Sequence, residues 1–354
     1  MKTPLKTMFI LTIILQTPAA FALGEFDGFG GGGDKSIYGD DNRIELFDAS
    51  PETYRLADSV VSLWKAEDVQ FDAASKRFSL KTEKYGDALG LCPDERFREQ
   101  PIGAFCSGSL VGEDLIMTAG HCITDEARCQ DTKIVFGFAI KGAGGKPPSK
   151  IAQKEVYSCK KIVTRFLKEQ SGSINPLDVG LADPDAQEPG PDYALIQLDR
   201  KVAGHRPLRI NRVQNLQNGD KIRIIGHPVG LPMKISGGTV RDVSGHGYFV
   251  TDLDTFGGNS GSPVFNSSTR LIEGILVRGA PDFLDTPAGC STMAVYPQNG
   301  GRGEDVTKVS VLQAFIPRLD AKDNTPIVVF RDMKVDDMAQ AENDIAGRFS
   351  IGFQ

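Results

Sequence analysis

The sequence predicts an all-β fold, either a barrel or a sandwich built from many short strands. Short runs of apolar and β-branched residues recur along the chain, and Gly, Pro and Asp residues separate them. Long amphipathic helical patterns are scarce, which argues against a helical or an alternating α/β fold. The clearest strand-like runs are residues 60–64, 133–136, 221–225, 248–250 and 271–277.

Length and composition are those of an ordinary globular protein. The chain has 354 residues, enough for one large domain or two small ones. Its net charge of −6, with no long cluster of Lys and Arg, argues against a nucleic-acid partner. The sequence leaves the oligomeric state open, and we expect a monomer.

The N-terminus predicts export. Lys2 and Lys6 precede an apolar run over residues 8–15, and Ala20 and Ala22 form a small-x-small cleavage pattern. Residues 1–22 are therefore predicted to be a signal peptide. The apolar run is too short to span a bilayer, so no membrane attachment is expected once the signal is removed. The predicted location is secreted or periplasmic.

The remaining segments follow from composition. Residues 23–36 are rich in Gly and predict a flexible pro-segment or linker. Residues 37–320 are predicted to be the folded domain, and residues 321–354 a polar C-terminal extension. Apolar spacing predicts a short C-terminal helix over residues 306–319 and another over residues 338–345. Residues 65–103 have the polar, mixed-charge composition of a surface insertion.

Six cysteines are present in this exported chain. An even number favours three disulfide bonds, for which 15 connectivities are possible. None of the cysteines shows the paired short spacing of a zinc site, so no metal and no cofactor are expected.

Three motifs carry residues suited to nucleophilic catalysis. Thr118-Ala119-Gly120-His121-Cys122 supplies a histidine, and Gly257-Gly258-Asn259-Ser260-Gly261-Ser262-Pro263 places a serine in a glycine-rich turn. Between them, Asp192 opens an apolar strand-like run that would hold its carboxylate in a buried, fixed position. The loop acids Asp178, Asp183 and Asp185 are the alternatives to Asp192.

A serine hydroxyl needs an adjacent base, and the base needs an orienting acid. The reaction also needs backbone donors aimed at the developing oxyanion. Ser260, His121 and Asp192 are the candidates for nucleophile, base and acid. The backbone N–H groups of Gly258 and Ser260 are the candidate oxyanion donors, because glycine permits the tight turn that points them inward.

The three motifs, in the order His, Asp, Ser, resemble the chymotrypsin/trypsin family of serine endopeptidases. The run from Gly258 to Asn266 looks most like the bacterial glutamyl endopeptidase branch. The resemblance covers roughly residues 37–318. It implies two six-stranded antiparallel β-barrels with the active site in the cleft between them, and it gives His121, Asp192 and Ser260 the roles described above.

The same resemblance bears on the cysteines. Cys106 and Cys122 match the pair that forms the family's histidine-loop disulfide. Cys129 with Cys159, and Cys92 with Cys290, follow as the remaining pairs.

One departure from the trypsin-like pattern concerns activation. Trypsin-like enzymes carry an acid just before the serine, which pairs with a newly freed N-terminus, whereas this chain has the uncharged Asn259. Residues 37–43 nevertheless resemble the mature start of the glutamyl branch. Processing of a zymogen between Ser36 and Ile37 is therefore expected.

The sequence leaves the substrate preference open. Asp254 stands six residues before Ser260, at the position of the trypsin-like pocket acid, and would favour Arg or Lys. Leu276 occupies the place where glutamyl specificity needs a His. Arg278 would either neutralise Asp254 or attract an acidic substrate residue. A solvated turn acid is the alternative interpretation of Asp254.

These observations predict an exported serine endopeptidase that acts on proteins or peptides. The alternative is a non-catalytic binding or adhesion module on the same fold, because fold alone does not give function.

Overall fold

The computed structural model describes residues 36–167 and 189–319. The predicted signal peptide, nearly all of the predicted linker, the C-terminal extension and the second predicted helix lie outside the described residues. The alternative acids Asp178, Asp183 and Asp185 also lie outside them.

Short strands make up most of the described chain. In chain order they are β1 (Ile37–Tyr38), β2 (Ile44–Glu45), β3 (Val60–Lys65), β4 (Val69–Asp72), β5 (Arg77–Leu80), β6 (Glu83–Lys84), β7 (Pro101–Ile102), β8 (Cys106–Gly112), β9 (Leu115–Thr118), β10 (Thr132–Phe136), β11 (Lys150–Ala152), β12 (Val156–Leu167), β13 (Asp192–Leu198), β14 (Lys221–Gly226), β15 (Lys234–Asp242), β16 (Tyr248–Thr251), β17 (Pro263–Asn266), β18 (Ile272–Arg278), β19 (Phe283–Asp285), β20 (Ser291–Met293), β21 (Val295–Tyr296) and β22 (Glu304–Lys308).

The described helices are short. They are α1 (Pro51–Ala57), α2 (Tyr85–Ala88) and α3 (Glu126–Gln130), with 3₁₀ turns at Leu46–Asp48, Ala66–Asp68, Gln153–Glu155, Pro228–Gly230, Val309–Val311 and Gln313–Phe315. Helix α1 begins where the Ser50 hydroxyl accepts a hydrogen bond from the Thr53 N–H and Pro51 fixes the first turn.

Six strands close the first barrel, in the order β10-β12-β13-β9-β8-β3. Strand β13 has a nearly continuous apolar sequence and is buried along almost its whole length, since β12 and β9 flank it. This position fixes its first residue, Asp192, against the end of β9.

The second barrel has the order β14-β17-β18-β22-β16-β15, and pairing of β14 with β15 closes it. The short strand β2 adds to the outside of β15. The predicted all-β class and the two six-stranded barrels are thereby confirmed, and all five strand-like runs lie in strands of these barrels.

The largest cluster of buried apolar residues continues from one barrel into the other. It includes Leu110 and Leu195 of the first barrel and Phe265 and Ile275 of the second. Burying such side chains contributes roughly 1.5–3 kcal/mol each, so this shared core holds the two barrels in a fixed relation.

The prediction of a helix over residues 306–319 is wrong. Strand β22 continues to Lys308, and two 3₁₀ turns follow it. Val306, Val309, Leu312 and Ile316 are buried as the apolar spacing suggested. A 3₁₀ turn repeats every three residues, so it buries nearly the same positions as a helix would.

Ser36, the last residue of the predicted linker, packs against the second barrel and the segment after β18. Ser36 is buried, its carbonyl accepts the Thr255 N–H at 3.1 Å, and its hydroxyl donates to Pro281 O at 2.8 Å. These contacts attach Ser36 to the described part of the chain.

Three disulfide bonds join the six cysteines as Cys92–Cys290, Cys106–Cys122 and Cys129–Cys159. The predicted surface insertion, residues 65–103, contains small paired strands and is bonded through Cys92 to the segment that follows β19. Over the described residues, no helix combines the length and apolarity needed to cross a membrane.

Candidate active site

His121 lies in the turn that follows β9. This strand ends at Thr118, whose hydroxyl donates to Ser107 O at 2.7 Å and fixes the start of the turn on β8. The Cys106–Cys122 disulfide fixes the other end. Closing a loop of this size stabilises the fold by about 3 kcal/mol. The imidazole of His121 is therefore held on a constrained backbone.

Asp192 orients the imidazole of His121. Its Oδ2 lies 2.5 Å from His121 Nδ1, and its Oδ1 accepts the N–H groups of Gly120 at 2.6 Å and His121 at 3.1 Å. A carboxylate can only accept, so Nδ1 carries the proton and Nε2 is the basic nitrogen. Among the residues that the structure describes, no group hydrogen-bonds to Nε2. This ring is therefore in the tautomer of a general base.

Two further residues hold Asp192 in place. A Cβ on Gly120 would lie 2.8 Å from Asp192 Oδ1 and 2.4 Å from Phe166 O, so glycine is required for this approach. Thr307 Oγ1, on β22 of the second barrel, accepts the Asp192 N–H and donates to Asp192 O, both at 3.0 Å. No sequence motif identifies Thr307, because it is an ordinary strand residue 115 positions from Asp192.

Ser260 lies in the turn that precedes β17, residues 256–262, which we call the serine turn. Gly258 and Gly261 have φ of +78° and +86°, a region that glycine enters without steric cost. The carbonyl of Ser260 accepts the Ser107 N–H at 2.9 Å and lies 3.7 Å from Cys122 Sγ. The serine turn therefore packs on the disulfide next to His121, which puts Ser260 in a segment adjoining the His121–Asp192 pair where the two barrels join.

Asn259 has no charged role in the serine turn. It is buried, its N–H donates to Phe256 O at 3.0 Å, and its Oδ1 accepts the Ser262 hydroxyl at 3.3 Å.

The contacts of Asp254 argue against its predicted role as a pocket acid. Asp254 is fully buried, and its two oxygens accept the N–H groups of Tyr38 at 2.8 Å and Asn42 at 2.9 Å. Its carboxylate therefore binds the backbone of the segment from Tyr38 to Asn42. Nothing in the motif around Ser260 could reveal this partner, which lies more than 200 residues away.

Arg278 does not neutralise Asp254 either. Its Nε donates to Asp305 Oδ2 at 2.8 Å, and its terminal nitrogen donates to Gly190 O at 2.5 Å. The side chain is only 14% exposed. Arg278 therefore connects β22 to the segment that leads to Asp192.

We expect the Asp254→Asn variant to change the pH dependence of stability. Burial raises the pKa of Asp254 to about 6, above its ordinary value of 3.8. The folded protein therefore binds a proton at Asp254 more tightly than the unfolded chain does. Above pH 6 the ionised carboxylate destabilises the folded state, and this destabilisation disappears as the pH falls from 6 to 4. Wild type should gain about 2 kcal/mol relative to the variant between pH 8 and pH 4.5, measured by urea unfolding.

The exposed Asp285 provides the control, because Asp285→Asn should follow wild type at both pH values. Preference for Arg and Lys on a peptide library should not change in Asp254→Asn. A basic preference that disappears in this variant would restore the pocket interpretation.

One group of potential metal ligands lies at the site. Donor atoms of Cys106, His121 and Cys122 are within 4.8 Å of one another. Because the two sulfurs are bonded to each other, they offer no thiolate to a metal.

The family comparison agrees with this geometry. Residues 106–272 match the model of the trypsin-like peptidase domain family. The matched range contains His121, Asp192 and Ser260, and the predicted resemblance to this family is confirmed.

Comparison with individual proteins gives more distant similarities. The chain is 27% identical over 179 residues to "Secreted RxLR effector protein 73" of Plasmopara viticola, an alignment that covers 48% of this chain. It spans only 40% of that relative's length. Among solved structures, the Vibrio cholerae VesB protease matches with a TM-score of 0.40 at 14% identity, over 78% of this chain and 66% of that chain. A Glu endopeptidase in complex with MPD matches with a TM-score of 0.39 at 19% identity, over 78% of this chain and 96% of that chain.

Proposed function

Because residues 106–272 form a trypsin-like peptidase domain, we propose that this chain is a serine endopeptidase that uses Ser260, His121 and Asp192. The observation that carries the proposal is the contact of 2.5 Å between Asp192 Oδ2 and His121 Nδ1. It leaves Nε2 as the basic nitrogen, and the glycine-rich serine turn packs on the disulfide that fixes the turn of His121.

In the proposed reaction, Ser260 Oγ attacks the carbonyl carbon of a peptide bond while His121 Nε2 takes the hydroxyl proton. Asp192 holds Nδ1–H and stabilises the imidazolium that forms. The N–H groups of Gly258 and Ser260 bind the oxyanion of the tetrahedral intermediate. His121 then gives the proton to the leaving amine, and water hydrolyses the acyl-enzyme by the same steps.

The proposal includes no preference for basic residues. That prediction depended on Asp254, whose oxygens are both bonded to backbone N–H groups. Assignment to the glutamyl endopeptidase branch remains a prediction, and Leu276 in place of the expected His argues against a Glu preference.

We place the protein outside the cytoplasm and propose that it acts on proteins or peptides. Three disulfide bonds favour an oxidising compartment, in agreement with the predicted signal peptide. If processing occurs, the contacts of Ser36 favour a cut on its N-terminal side, not between Ser36 and Ile37.

The test is labelling with a fluorophosphonate, followed by mapping of the adduct. Wild type should label at Ser260 and cleave a peptide library, whereas Ser260→Ala should do neither. Ser268→Ala, at an exposed turn position, is the matched control and should behave as wild type. A folded wild type that neither labels nor cleaves would favour the non-catalytic binding module.

A further inference from the structure

The backbone of Gly257, three residues before Ser260, is hydrogen-bonded through both its N–H and its carbonyl. The Gly257 N–H donates to Asp282 Oδ2 at 2.7 Å, and the Gly257 carbonyl accepts the Val229 N–H at 2.5 Å. Both contacts come from segments outside the serine turn. The carbonyl contact orients the peptide between Gly257 and Gly258, and the N–H contact orients the peptide that precedes it, so neighbouring segments hold both peptides.

The carbonyl contact also determines where the next N–H points. In a trans peptide the C=O and the N–H point in opposite directions. Because the Gly257 carbonyl faces Val229, the Gly258 N–H faces the other side of the serine turn. Rotation of this peptide by half a turn would exchange the two groups and put a carbonyl oxygen where an oxyanion donor is needed.

The segment that supplies the Val229 N–H is itself rigid. Val229 is buried with φ of +47°, an uncommon conformation for a β-branched residue. It lies in the Pro228–Gly230 turn, which the hydrogen bond from Gly230 N to His227 O closes at 3.0 Å. If the Gly257–Gly258 peptide rotated, the Val229 N–H would lose its acceptor in a buried place, which is unfavourable.

Ser107 connects this segment to the serine turn. Its hydroxyl donates to Gly258 O at 2.8 Å and accepts the His227 N–H at 2.9 Å, and its own N–H donates to Ser260 O. A Cβ on Gly258 would lie 2.8 Å from His227 O, so the two segments are in direct contact. Ser107 therefore bonds the carbonyls on both sides of Asn259.

We infer that Ser107 and Asp282 are positioning residues that hold the Gly258 N–H in the oxyanion-binding orientation before substrate arrives. This inference rests on the proposed function. Asn259 is uncharged and bonded within the serine turn, so no ion pair holds this turn. The contacts of Ser107, Asp282 and Val229 supply the preorganisation that oxyanion stabilisation requires.

The test compares two serines of β8. Ser107 and Ser109 are both fully buried, two residues apart, but the Ser109 hydroxyl has no hydrogen-bond partner among the described residues. In the full chain, the rate of fluorophosphonate labelling at Ser260 should fall at least about tenfold in Ser107→Ala, less than the roughly 10²–10³ for loss of an oxyanion donor. Ser109→Ala should label within about twofold of wild type, because its hydroxyl makes no contact to lose.

Asp282 gives a second, independent comparison. Asp282→Ala should also label about tenfold more slowly than wild type, whereas Asp282→Asn keeps an acceptor for the Gly257 N–H and should recover most of the rate. The midpoint of urea unfolding shows which variants are folded. A general loss of structure would slow labelling in Ser109→Ala as well and would not be rescued by Asn at position 282.

The outcomes separate the two proposals. If wild type labels at Ser260 and folded Ser107→Ala and Asp282→Ala label at the same rate, the positioning inference is overturned while the proposed function stands. If folded wild type does not label, the proposed function fails and the inference fails with it.

Discussion

Replacement of Asp192 by Asn should lower turnover by about 10⁴-fold without unfolding the protein. The Gly120 and His121 N–H groups both donate to Oδ1. Because these two donors need an acceptor, the carbonyl oxygen of the new amide must take the place of Oδ1. The NH₂ group of the amide then faces His121 Nδ1. Nδ1 must then accept and Nε2 must carry the proton, so the imidazole cannot take a proton from Ser260.

The measurement is kcat on the best peptide of the library, or the labelling rate of Ser260 if peptide turnover is slow. Asp199→Asn is the matched control, because Asp199 follows the other end of β13 and is exposed. Activity of Asp192→Asn within tenfold of wild type would mean that another group orients His121.

The second large effect is expected on stability, in the Gly261→Ala variant. Gly261 has φ of +86°, and a Cβ there would lie 2.2 Å from both Ser107 O and Thr118 Oγ1. An alanine would add the strain of the left-handed conformation to a collision with a backbone oxygen. We expect a loss of about 3 kcal/mol or more in the free energy of unfolding, measured by urea denaturation.

Gly289→Ala separates the two causes. Gly289 has a similar φ of +79°, but its Cβ would have no atom within 4 Å. This variant should lose only about 1 kcal/mol, from backbone strain alone. Equal losses in the two variants would show that the crowding around Gly261 is relieved by small shifts of β8 and β9.

The features that the sequence predicted correctly are local ones. Each strand-like run contains its own signal in its apolar residues and the turn residues that flank it, and all five lie in strands. The sequence favours Asp192 over the loop acids because it opens an apolar run, and that run is the buried strand β13. The three motifs are short as well, and their role in catalysis stays a prediction.

The features that the sequence could not reveal depend on distant neighbours. Asp254 has the position of a pocket acid, but whether its carboxylate is free depends on the backbone of Tyr38 and Asn42. Thr307 and Ser107 are ordinary strand residues until the two barrels and the serine turn come together. The predicted helix over residues 306–319 failed for a different reason, because its apolar spacing suits a strand followed by 3₁₀ turns almost equally well.

The link between Thr307 and Asp192 has a consequence for synthesis of the chain. A ribosome makes the chain from the N-terminus, so His121 and Asp192 emerge well before the hydroxyl that holds the Asp192 backbone. Strand β22, which carries Thr307, is also one of the six that close the second barrel. The nascent chain therefore cannot form these contacts to Asp192 until nearly all of the described domain has emerged.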